Sequence, residues 1–98
     1  MILEQVILYI RPNQSEMFEK AFKIAQNIII TMKGYLRHDL LKCVEEEDKY
    51  LLLVEWKTIT DHEEGFRKSE GYQDWKNLLH HFYDPFPVVQ HYFSVLEN

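Results

Sequence analysis

The chain has 98 residues, 46% hydrophobic and 14% aromatic, with a formal charge of -5; this is material for one domain spanning residues 1–98, and it excludes a disordered or low-complexity chain. Acidic balance with lysines and arginines scattered along the chain excludes a nucleic-acid surface, and no apolar run approaches the span of a bilayer. Glu4 interrupts the N-terminal MILEQVILYI where a signal peptide would be unbroken, which points to the cytoplasm, and the single cysteine, Cys43, leaves no internal disulfide and no cysteine metal knuckle.

Residues 2–10 are apolar on both parities, with Ile2, Val6, Leu8 and Ile10 on one and Leu3, Ile7 and Tyr9 on the other, the pattern of a strand covered on both faces. Pro12 breaks it, and Asn13 with Glu16 has the form of a capping box. The helix that follows carries Phe18, Ala21, Phe22, Ala25, Ile28, Ile29 and Met32 at three-four spacing and is expected to run to Gly34. Residues 35–44 read as a second strand, with His38 between Leu36 and Leu40 on one parity. The acidic run 45–48 is a solvated hairpin turn. Residues 50–57 are almost continuously apolar, the mark of a central strand.

Thr60 and Glu63 suggest a second capping box and a short helix through Phe66, and Ser69 caps a further helix. There Tyr72, Trp75, Leu78, Leu79 and Phe82 share a face, until Asp84-Pro85-Phe86-Pro87 ends the segment. A last strand is expected over 88–96, with Val89, His91, Phe93 and Val95 on one parity.

The order β-α-β-β-α-β predicts an α+β, ferredoxin-like fold: a four-stranded antiparallel sheet with strands one and three in the centre and both helices on one face. Two helices hide only one side of such a sheet. The apolar residues on the other predict a homodimer packed sheet to sheet.

The stretch YLLLVEWKTITDHEEGFRKSEGYQDW with the later FPVVQHY resembles the antibiotic biosynthesis monooxygenase domain, a superfamily of dimeric α/β barrels. The matching positions are Glu55, Trp56, Phe66, Arg67, Ser69, Tyr72, Trp75, His91 and Tyr92. What the resemblance implies is oxidation of a small aromatic, quinol or anthrone-like compound by dioxygen without metal, flavin or other cofactor. Such chemistry needs a base of near-neutral pKa, donors for a developing oxyanion and a dry apolar pocket. A non-catalytic dimeric module that binds a small hydrophobic metabolite would use the same lining, and stays open beside the enzyme.

His38 and His91, each between apolar neighbours of its own parity, are the candidate bases. The strand order puts them on opposite edges, about 14 Å apart, so at most one serves a given substrate atom. Arg67 is the candidate oxyanion partner, and Tyr72, Trp75, Trp56 and Phe66 are the candidate substrate contacts. Glu55, among apolar neighbours, calls for a structural ion pair. His62, His80 and His81 are expected on the surface or rim, since no metal-ligand spacing joins them. The resemblance also speaks against haem degradation, because Lys76 stands where those relatives carry the axial histidine and Arg67 where they carry a tryptophan.

Overall fold

The computed structural model describes residues 1–96. Its elements are β1 (Ile2–Tyr9), α1 (Ser15–Ile29), β2 (Tyr35–Lys42), β3 (Lys49–Trp56), a π-helical turn (Asp61–Phe66), α2 (Glu70–Leu79), a 3-10 turn (His80–Phe82) and β4 (Val89–Tyr92). The strands form one antiparallel sheet in the order β2-β3-β1-β4. This is the expected ferredoxin-like fold with β1 and β3 central. None of its helices is long and apolar enough to cross a membrane.

Strand parity decides which side chains meet the helices. Val6, Leu8 and Ile10 of the β1 segment and Tyr50, Leu52, Val54 and Trp56 of β3 are buried against Phe18, Phe22, Ala25 and Ile29 of α1 and Trp75 and Leu79 of α2. Phe18 sits at the middle, edge-on to Tyr50 at 5.0 Å and to Phe82 at 5.8 Å. Truncating so central a ring to alanine costs about 3–5 kcal/mol. The opposite parity is uncovered in a single copy: Ile7, Tyr9, Leu41 and Tyr92 are each 40% to 46% exposed.

Local expectations fare unevenly at element ends. Asn13 does not cap α1; it adopts the left-handed region at φ 66°, closing a turn in which the Gln14 amide bonds Arg11 O at 3.2 Å. The helix starts at Ser15, whose hydroxyl donates to Asp48 Oδ1 at 2.5 Å and ties α1 to the β2–β3 hairpin. α1 also stops at Ile29, short of Gly34, as the Thr31 and Met32 amides switch to carbonyls three residues back. Gly34 keeps a positive φ of 82°, and any Cβ there would fall 2.1 Å from the Asp61 carboxylate. Glycine thus lets the start of β2 abut the π-helical turn.

That turn is capped two residues earlier than expected. Thr58 Oγ1 accepts the Asp61 amide at 3.1 Å and donates to Asp61 Oδ2 at 3.0 Å, whereas Thr60 makes no capping bond. Ser69 caps α2 as expected, accepting the Tyr72 amide at 3.2 Å. β4 is four residues long in place of the expected nine. Its pairing reaches Leu3 opposite Tyr92, and beyond that β1 has almost no strand left to offer a partner.

Candidate active site

Glu4 lies on the inward parity of β1, one pleat repeat from Val6, and only 6% of it is exposed. Antiparallel register places it opposite Val54 of β3 on one side and His91 of β4 on the other. Trp56 Nε1 donates to Glu4 Oε1 at 2.9 Å, and His62 Nε2 lies 3.4 Å from the same oxygen. The His62 ring, 3% exposed, stacks on Trp56 with centroids 5.4 Å apart and planes 19° from parallel. Its Nδ1 is 2.8 Å from His91 Nε2. Carboxyl, imidazole and imidazole therefore form a continuous line from the interior to the partly exposed edge strand.

The π-helical turn is what brings His62 inward. The Arg67 amide bonds His62 O at 3.1 Å, five residues back, so His62 and Phe66 both face the core while Arg67 emerges at the surface. Such widened turns recur at functional sites. Expecting His62 on the rim is corrected here: both the shifted cap and the wider turn rotate it inside. His80 also departs from expectation, being half-buried, whereas His81 is exposed.

A cavity of about 400 Å³ opens between the sheet and the helices. Glu4, Val6 and Leu8 form its floor, Phe66, Tyr72 and Trp75 one wall, and His80, Tyr83 and Phe86 another, with Arg67 at its edge. Phe66 stands edge-on to both Tyr72 at 5.2 Å and Trp75 at 5.4 Å. This is the size and lining that suit a planar aromatic compound.

Burial controls the charges. It pushes the Glu4 carboxyl from its ordinary 4.5 to about 7, against the downward pull of the Trp56 N–H and the Arg67 guanidinium. Burial, then the positive charge of Arg67, then His91, holds His62 down at about 3. The Glu4–His62 contact has ion-pair spacing, yet both groups are driven toward their uncharged forms, so it is a contact of a carboxyl with a neutral imidazole and not an ion pair. His91 is lowered mainly by burial, with Glu63 acting the other way. Tyr83 is pushed up by burial and stays a phenol.

Among the residues named from sequence, Phe66, Arg67, Tyr72 and Trp75 line this cavity. Trp56 is fully buried behind it and acts on Glu4, not on the open space. His91 sits behind His62. His38 is elsewhere: on β2, at a second cavity of about 360 Å³, its Nδ1 accepts from the Tyr35 hydroxyl (2.6 Å) and its Nε2–H donates to Gln26 Oε1 (2.9 Å). Glu55 has the expected partner, Arg37, at 3.4 Å. Among the described residues no cluster of three or more His, Cys, Asp or Glu side chains could hold a metal. Sequence reading missed Glu4, His62, His80 and Tyr83.

A ferredoxin-like sheet with an aromatic cavity between sheet and helices is the frame; the chain belongs to the antibiotic biosynthesis monooxygenase family, whose model matches residues 1–78. It is 55% identical over 95 residues to the uncharacterized protein YczJ of Bacillus subtilis (strain 168), covering 97% of this chain and all of that protein. A crystal structure from Bordetella bronchiseptica that carries the family name superposes with a TM-score of 0.92 at 27% identity, covering 97% of each chain. SnoaB of Streptomyces nogalater, a cofactor-independent oxygenase, superposes with a TM-score of 0.77 at 15% identity over 99% of this chain and 94% of its own, a likeness of fold alone.

Proposed function

We propose that this protein is a cofactor-independent monooxygenase that oxidises a small aromatic, quinol or anthrone-like compound, with Glu4 as the base. The observation that carries the reading is a carboxyl buried on the floor of an aromatic cavity, where burial raises its pKa to about 7. A base is most effective when its pKa lies near the working pH, and a carboxylate held among rings has few competing waters. Membership of a family that includes oxygenases of this kind supports the same conclusion.

In the proposed reaction Glu4 removes a proton from the activated C–H or O–H of the substrate, leaving an electron-rich anion. The anion gives one electron to dioxygen, and the resulting substrate radical and superoxide combine to form a C–O bond. The peroxide takes up a proton. Loss of a second proton from the same carbon breaks the O–O bond, so that one oxygen atom stays as a carbonyl and the other leaves as water. Arg67 and Tyr72, at the cavity wall, stabilise the negative charge on the substrate oxygen during the first step. Phe66 and Trp75 hold the ring plane.

The same reading has two copies packing their outer sheet faces together. A second copy is the occupant because the helices leave this apolar face uncovered, and a two-fold axis would set it against its own counterpart. Sedimentation at high dilution should give a dimer; a stable single subunit would remove this part of the proposal.

Metal-free protein incubated with a panel of hydroquinones and anthrones should consume one dioxygen per carbonyl formed and release no peroxide. Glu4→Gln should lower the rate by roughly 100-fold or more while substrate still binds. Tight binding without oxygen uptake by any compound would overturn the oxidation and leave a binding module.

A further inference from the structure

We propose that His62 and His91 form a two-ring proton conduit connecting Glu4 to solvent at the β4 edge of the sheet. The geometry is a single file: Glu4 Oε1 to His62 Nε2 at 3.4 Å, then His62 Nδ1 to His91 Nε2 at 2.8 Å, with His91 on a partly exposed edge strand. The first distance closes to a hydrogen bond with a small rotation of either group, a usual tightening when a site is occupied. His62 has a neighbour in the file at each of its ring nitrogens, so a proton entering at one displaces a proton at the other.

The transfers balance. With Glu4 protonated, its O–H donates to His62 Nε2, His62 Nδ1–H donates to His91 Nε2, and His91 carries its proton on Nδ1. When the Glu4 proton moves to His62 Nε2, the Nδ1 proton moves to His91 Nε2 and the His91 Nδ1 proton passes to water. Glu4 is left as a carboxylate, both rings remain neutral with their protons now on Nε2, and one proton has left the protein. The reverse transfers bring one in. Such a conduit lets bulk pH set the state of Glu4 while a ligand fills the cavity and water does not enter.

The charged or titratable groups around the file are Arg67, which acts on Glu4, His62 and His91, Glu63 beside His91, and Tyr72 and Tyr83, which face Glu4. Burial first, and the Arg67 charge after it, keep both rings from taking up a second proton, with Glu63 pulling the other way at His91. That is what a conduit of neutral rings requires, since a stored imidazolium would halt it.

The conduit's use in turnover rests on Glu4 being the base, but its existence is tested without substrate. Histidine-¹⁵N-labelled protein is titrated between about pH 5.5 and about 8.5, a range in which histidine tautomers are read directly from nitrogen shifts. The expected result is that the proton of His62 moves from Nδ1 to Nε2, and that of His91 likewise, at one midpoint shared with the Glu4 carboxyl followed in ¹³C-labelled protein. In Glu4→Gln neither ring should change at that midpoint. If His62 keeps one tautomer while Glu4 titrates, or if His91 changes at a midpoint of its own, the conduit is wrong. The coincidence within wild-type protein is decisive even where the variant does not fold. Coupled switching together with no oxygen uptake from any compound would leave the conduit standing and remove the oxidation; uptake without switching would do the opposite.

Discussion

His38 and His62 stand at different cavities of the molecule, and their hydrogen-bonding partners set them apart. At the β2 edge His38 meets a phenol and a primary amide, both neutral, and its pKa is lowered simply by burial against a modest pull from Asp39. At the β4 edge His62 meets a buried carboxyl on one side and a second imidazole on the other. Neutral partners on both nitrogens fix a ring in place. A buried acid on one nitrogen and a route to solvent on the other make it a participant in proton movement.

The comparison breaks first under substitution of the two histidine neighbourhoods. Oxygen uptake in Glu4→Gln should fall by roughly 100-fold or more, equivalent to about 2.7 kcal/mol of barrier, whereas His38→Gln should stay within about twofold of wild type. Equal losses in both variants would erase the distinction.

Stability against pH sharpens it next. A carboxyl raised from 4.5 to about 7 binds more protons folded than unfolded across that interval, so its contribution to stability is present below 4.5 and falls as pH rises through about 7. The change is worth about 3 kcal/mol. His62, lowered from 6.5 to about 3, works in the opposite sense: its neutral buried form contributes fully above 6.5, and that stability is lost as pH falls through about 3. Denaturant unfolding of wild type should therefore be nearly flat where the two overlap, from 4.5 to 6.5, decline only between 6.5 and about 7, and be flat again beyond that. Glu4→Gln should lack that short decline and instead gain stability with rising pH up to 6.5, as the His62 contribution is no longer opposed.

Trp56→Phe removes the one N–H that Glu4 accepts from tryptophan and should cost about 2–3 kcal/mol, read by the same unfolding experiment. The Glu4 midpoint should move further up in that variant. Smallest of all, Arg67→Gln removes a guanidinium that holds Glu4 down, and the pH profile of uptake should move to the alkaline side by less than about one unit, because Arg67 is exposed and screened.

What could be read from the chain alone follows the range of the interaction involved. Ser69 capping α2 is a three-residue relation, and the apolar stripe of α1 is a property of one helix; both were legible. Glu4 was not. Its parity pointed inward with Val6 and Leu8, its charge pointed outward, and the conflict is resolved by Trp56, 52 residues away, and by the β1–β4 register. His62 was misplaced because TITDHEE offers two capping boxes, Thr58 with Asp61 and Thr60 with Glu63, and the choice between them rests on Asp61 fitting against Gly34. The apolar neighbours of His91 mark it in the sequence, but its bond to His62 arises only once the π-helical turn is formed.

The central claim is tested most directly by the titration of the Glu4 carboxyl itself, followed by ¹³C NMR in unmodified protein. A midpoint of about 7 is the result expected of a buried base on the cavity floor. A midpoint in the ordinary carboxylate range, near 4.5, would contradict it.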